Sequence, residues 1–114
     1  MITESTTRKL GDIDVVDISG RLSLGNTLLS IESSIQKLIE DGSRRLVINV
    51  AGLTAIDSAG VGMLMAVSGQ MEQKDGKLHI AGAHGGVART FEVVHLDRVA
   101  AVDVDVDAAC RAMG

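Results

Sequence analysis

Leu46 to Gln70, LVINVAGLTAIDSAGVGMLMAVSGQ, holds the strongest structural signals in the chain. It opens with an apolar run, Leu46, Val47, Ile48 and Val50, of the kind that forms a strand covered on both faces. A short connection, Ala51-Gly52-Leu53-Thr54, leads into Asp57-Ser58-Ala59-Gly60, where apolar residues begin to recur at helical spacing. Asp57 or Ser58 can accept the first free N–H groups of that helix, and the helix dipole favours negative charge there. Ser58 is therefore a hydroxyl held where an added phosphate would be electrostatically welcome. Ser and Asp are also ordinary N-caps, and a cap by itself implies no chemistry. The surroundings argue for more: Gly60, Gly62 and Gly69 lie inside the helical pattern, each costing roughly 1 kcal/mol relative to Ala. Glycines beside a cap let another backbone or another protein approach closely.

Upstream, Ile2 to Leu10 is polar and Thr-rich, suited to an edge strand, and Gly11-Asp12 is a turn signal. Ile13, Val15, Val16 and Ile18 predict a second strand over Ile13 to Ser19, ended by Gly20, so that the two form a hairpin. After Arg21-Leu22-Ser23-Leu24-Gly25, Asn26 or Thr27 can cap an amphipathic helix with Leu28, Ile31, Ile35, Leu38 and Ile39 on its apolar face and Gly42 as its stop. Downstream, Val61, Leu64, Met65 and Met71 are the expected buried stripe of the Ser58 helix, which Gly76 closes. Lys77 to Ala81 reads as a short strand and Gly82 to Gly86 as a loop before a third helix carrying Val87, Phe91 and Val94. A last strand spans about Ala100 to Val104, and Asp105 or Asp107 caps a short helix from Ala108 to Met113.

Strands alternating with helices of this length imply right-handed crossovers and a mostly parallel sheet. The expected fold is a single α/β domain over residues 1–114, its mixed, mostly parallel sheet carrying an N-terminal edge hairpin and about four helices. A chain of 114 residues buries roughly 65% of its unfolded surface, enough to fold alone.

Composition removes several classes of function. Phe91 is the only aromatic residue, so base stacking and aromatic cages have nothing to work with. The formal net charge is −4 and the basic residues are scattered, with Arg44-Arg45 the only adjacent pair, which gives no footprint for nucleic acid. The single cysteine, Cys110, excludes an internal disulfide and fits a reducing compartment. The N-terminus lacks the apolar core of a signal peptide, and no apolar stretch reaches the roughly 20 residues of a membrane span. A cytoplasmic protein is expected, without membrane insertion.

Other motifs fail on inspection. Gly82-Ala83-His84-Gly85-Gly86 matches neither a dinucleotide fingerprint nor a P-loop. Asp103-Val104-Asp105-Val106-Asp107 opens like a calcium loop, but Ala108 stands at the sixth position and Gly114 at the twelfth, where Gly and Glu are needed. His79, His84 and His95 lack zinc-like spacing and read as surface or loop residues. Ser58 has no Gly-x-Ser-x-Gly setting, and Asp57 alone is a poor base for a hydroxyl. Neither a metal nor a cofactor is expected, and no catalytic residue.

The run from Leu46 to Leu64, an apolar strand leading to Asp57-Ser58-Ala59-Gly60 at a helix start, resembles the signature of the STAS domain family of bacterial anti-sigma factor antagonists. Asp17-Ile18-Ser19-Gly20-Arg21-Leu22 and Phe91 to Val99 resemble further segments of that family, while Ser23 and Asn49 stand where many members carry Asp. The resemblance implies that Ser58 is phosphorylated by an anti-sigma factor that is also a serine kinase, and that a PP2C-type phosphatase reverses this. It further implies that the unphosphorylated form binds the anti-sigma factor through Asp57, Ser58, Ala59, Gly60, Gly62 and Met63 and frees a sigma factor. The alternative, also found among similar proteins, is an unphosphorylated accessory subunit of a transporter or a ligand-sensing module.

Overall fold

The computed structural model describes residues 2–114. One five-stranded sheet runs β1 (Glu4–Leu10), β2 (Ile13–Leu22), β3 (Arg45–Ile56), β4 (Lys77–Ala81) and β5 (Ala101–Asp103) from edge to edge in chain order. β1 and β2 form the expected antiparallel hairpin about Gly11, whose φ of 65° the turn requires, and β2 to β5 are parallel. The helices are α1 (Asn26–Glu40), α2 (Ser58–Gln73), α3 (Gly85–Val93) and α4 (Val106–Met113), with a 3-10 turn at Leu96–Arg98.

The apolar strand residues divide by alternation. Val16, Ile18, Leu46, Ile48, Val50 and Ile80 face the main core, where Ile31 and Ile35 of α1, Leu64 and Val67 of α2, and Val87 and Phe91 of α3 pack. Ile13, Val15, Val47 and Ala81 face the other side and are covered by Ala109 and Met113 of α4. Three helices thus lie on one face and one on the other, as the two-faced apolar strands require.

Several boundaries differ from the sequence reading. β2 continues through Gly20 to Leu22, and Gly20 marks a register shift at φ 89°, with the Ile2 carbonyl oxygen 2.5 Å from where a Cβ would stand. Ala51-Gly52-Leu53-Thr54 is not a connection; β3 runs on to Ile56, pairing Gly52 with Ser19 and Ile56 with Leu22. Gly52 sits there because β2 passes so close that a Cβ would meet Ser19 Cβ at 2.8 Å. α1 is capped at Gly25, without a side-chain bond, rather than by Asn26 or Thr27. In α2, Val61, Leu64 and Met71 are buried as expected, but Met65 is 36% exposed and Met63 takes its place inside. The reason is that α2 packs against α1 as well as the sheet, which broadens and turns its buried arc beyond a single stripe. Asp105, not Asp107, caps α4, its Oδ1 accepting from Ala108 N at 2.8 Å. β5 is shorter than expected, only Ala101–Asp103.

Polar side chains on the α4 side of the sheet are tied together. Arg8 Nε donates to Asp17 Oδ2 at 2.8 Å and Asn49 Nδ2 to Asp17 Oδ1 at 2.8 Å, while Asn49 Oδ1 accepts from Ala51 N at 3.1 Å. The Arg8 hydrogen bond, aided by Asn49 and opposed by partial burial, holds the Asp17 carboxyl below its ordinary value.

Candidate functional site

The corner between β3 and α2 is built by one carboxylate. Asp57 has extended backbone geometry, and its Oδ1 accepts from Gly60 N at 2.9 Å, the bond of a helix N-cap. Its Oδ2 accepts from Leu24 N at 3.0 Å, across 33 positions of chain, in the segment between β2 and α1. Asp57 N also donates to Leu22 O at 3.2 Å, and Val61 N to Asp57 O at 3.0 Å. Charge-assisted bonds to backbone amides, first from Leu24 and then from Gly60, lower the Asp57 pKa from 3.8.

The sequence left open which of two residues caps the helix; the cap is Asp57. Ser58 is therefore released from that role. It is the first residue of α2 and is exposed, so its hydroxyl stands in solvent at the positive end of the helix. Such a group can accept a phosphoryl group and keep the resulting dianion beside unsatisfied backbone N–H groups.

The residues expected to meet a partner separate once placed. Asp57, Ser58 and Gly62 are exposed and Ala59 is half-buried. Met63 is 2% exposed and belongs to the core, so it has no surface to offer. Gly60 is buried: a Cβ there would lie 2.5 Å from Leu22 O and 2.7 Å from Ile56 Cγ1. Its glycine is demanded by α2 crossing the end of β2. Gly62 and Gly69 differ, since a Cβ at either would meet nothing within 4 Å, and no contact among the described residues explains the stability they cost.

Leu24 is the neighbour of this candidate corner that the sequence reading missed. The residue is 77% exposed although its backbone N–H is fastened to Asp57. The one local signal was a leucine beside Gly25 at the end of a run already supplied with a buried apolar residue, Leu22.

The remaining candidates have internal uses. His79 is not a surface residue: its Nδ1 lies 2.6 Å from Asp103 Oδ2, with side chains 13% and 17% exposed. His84 Nε2 meets Ala51 O at 2.9 Å, and His95 occupies a left-handed turn position at φ 55°. Asp103 and Asp105, the start of the apparent calcium loop, are thus committed to His79 and to the α4 cap.

Comparison with known proteins agrees with this architecture. An anti-sigma-B factor antagonist of Staphylococcus aureus is 27% identical over 81 residues, 71% of this chain and 74% of the relative. The crystal structure of an anti-sigma factor antagonist from Mycobacterium paratuberculosis superposes with a TM-score of 0.85 at 21% identity, covering 97% of this chain and 93% of that one. The Bacillus cell fate determinant SpoIIAA, in its phosphorylated form, superposes with a TM-score of 0.77 at 18% identity, covering 97% of this chain and 100% of that one. Residues 4–109 match the profile of the STAS domain, and the chain belongs to the STAS domain family.

Proposed function

We propose that this protein is an anti-sigma factor antagonist, a binding protein rather than an enzyme, whose partner is an anti-sigma factor with serine kinase activity. In the unphosphorylated state it holds that partner and a sigma factor is freed; phosphorylation of Ser58 ends the complex, and a PP2C-type phosphatase restores it. The observation that carries this reading is the exposed Ser58 hydroxyl at the α2 N-terminus, freed from capping by Asp57. The names of the curated relatives support the partner class. Among the described residues no helix is long and apolar enough to cross a membrane, which accords with work in the cytoplasm.

The physical basis of the switch is surface charge. A phosphate adds about −1.5 to −2 charge, and at a helix N-terminus it leaves the helix intact. Beside the ionised Asp57 it concentrates negative charge where a partner would otherwise desolvate a neutral hydroxyl. A hundredfold loss of affinity requires only about 2.7 kcal/mol. The contact surface comprises Asp57, Ser58, Ala59 and Gly62, without the buried Gly60 and Met63. Gly62 and Gly69 leave the outer face of α2 low enough for close approach.

Intact-mass measurement and phosphopeptide mapping of the protein from its own host, growing and stressed, with Ser58→Ala alongside, test this reading. One phosphate on Ser58 that is absent from the variant is the expected result. No phosphate in any condition would contradict it and favour the transporter or sensor alternative.

A further inference from the structure

We infer that the free edge of β1 is a self-association surface: a second copy of this chain pairs with it antiparallel about a two-fold axis through Thr6, joining the two five-stranded sheets into one. All seven residues of β1 are exposed, so no helix covers either face of the strand, and its outer edge has no neighbour in the sheet. The two-residue turn at Gly11-Asp12 makes Leu10 and Ile13 the hydrogen-bonded pair that closes the hairpin. By alternation Glu4, Thr6 and Arg8 also direct their N–H and C=O groups to β2, while Ser5, Thr7 and Lys9 direct theirs to the open edge. Charged side chains commonly guard such an edge, but here they are drawn inward. Arg8 Nε meets Asp17 Oδ2 at 2.8 Å, and Lys9 Nζ meets Asp14 Oδ1 at 3.1 Å.

Register is what selects a copy of the same chain. Outward groups of two such strands meet only when the two-fold axis passes through a residue position. An axis at Thr7 sets Glu4 against Leu10 and Arg8 against Thr6 of the second copy, and an axis at Arg8 sets two arginines face to face. An axis at Thr6 sets Glu4 against Arg8 twice, Thr6 against Thr6 and, one step further out, Ile2 against Leu10 twice. Opposite charges placed directly across two strands attract and like charges repel, so the Thr6 register is favoured. Glu4 has no ion pair among the described residues, and the Arg8 guanidinium keeps further N–H donors for it beyond those on Asp17. The same register covers Ile2, 75% exposed, and Leu10, 39% exposed. Thr3 Oγ1 donates to Arg21 O at 2.6 Å, which holds the chain preceding β1 along β2 so that Ile2 continues the line of the strand.

Sedimentation of the purified chain over a concentration series, with circular dichroism of each variant, tests the inference. The wild-type chain forms dimers as concentration rises; a monomer up to the solubility limit would overturn the surface. Glu4→Arg, at an exposed position, sets like charges across the axis and raises the dissociation constant of the dimer several-fold. Thr7→Pro deletes an outward N–H that no internal bond uses, so the monomer keeps its fold and the dimer is lost. An undiminished dimer in a folded Thr7→Pro chain would overturn edge pairing. Cysteine pairs then read the register, in a Cys110→Ala background. At an axis through Thr6 the two Thr6 residues form a non-hydrogen-bonded pair with Cα atoms about 4.5 Å apart, within the range of a disulfide. Thr6→Cys therefore gives a covalent dimer on mild oxidation, and Thr7→Cys, offset from its own copy, does not. Faster linkage at Thr7→Cys would overturn the Thr6 register. The inference does not depend on the proposed function, and none of these results bears on phosphorylation of Ser58.

Discussion

Two helices of this protein begin in nearly the same way. Asp57 and Asp105 both have extended backbone geometry and both accept the N–H three residues on, Gly60 N at 2.9 Å and Ala108 N at 2.8 Å. At α4 the cap is followed by a half-buried Val106, and the helix exists to lay Ala109 and Met113 on Val15 and Val47. At α2 the cap carries a second bond to distant Leu24, is followed by an exposed Ser58, and opens a helix in which Gly62 and Gly69 have open space where a Cβ would stand. At α2, unlike α4, the groups at the capped helix start exceed what the local structure needs.

Substitutions distinguish the two helix starts. The largest effect is expected at Gly60, the α2 glycine that the fold does need. Gly60→Ala forces a methyl to within 2.5 Å of Leu22 O and should cost about 1–3 kcal/mol in urea unfolding; a neutral result would mean the β2 end yields freely. Next come the two caps. Asp105→Ala should cost about 1 kcal/mol and leave kinase affinity unchanged, whereas Asp57→Ala should lose similar stability and affinity as well; equal behaviour in a binding titration would erase the distinction. Gly69→Ala, on the open face of α2, should raise stability by about 0.5–1 kcal/mol while weakening partner binding. Higher stability with unaltered affinity would show that the partner does not lie along that face.

The smallest effect is electrostatic. The Asp57 and Asp17 pKa values lie below 3.8 in the folded protein, so the carboxylates bind protons more readily when unfolded. Their stabilisation is therefore fully present above the ordinary carboxylate value and is lost as pH falls through the folded values. The stability difference between wild type and Asp57→Ala should shrink on acidification from about pH 7 to about pH 3. A constant difference would show that the ionised carboxylate contributes nothing.

The order of elements and the Asp57-Ser58 corner were legible because their signals are local: apolar runs, helical spacing and capping residues. What escaped was set by contacts distant in sequence. Gly52 looked like a loop residue, yet it is a strand residue selected by the approach of Ser19. Met63 and Met65 exchange inside and outside because α1 joins the sheet in covering α2. Gly60 was indistinguishable from Gly62 and Gly69 until Leu22 O stood over it. His79 looked like a surface residue because its partner, Asp103, comes from a strand 24 positions away. Asn49 is intelligible only beside Asp17: an aspartate there would oppose a second carboxylate, whereas the amide donates to it. The Asp57–Leu24 bond, joining segments 33 positions apart, had no sequence signal of its own.

A switch at Ser58 is tested by calorimetric titration of the host anti-sigma factor kinase with the purified chain, unmodified and phosphorylated on Ser58, with circular dichroism of both forms. The expected result is a stable complex with the unmodified chain, a loss of affinity of about a hundredfold or more on phosphorylation, and the same helix content in both. Equal affinity of the two forms, or a phosphorylated chain that has lost helix, would contradict it.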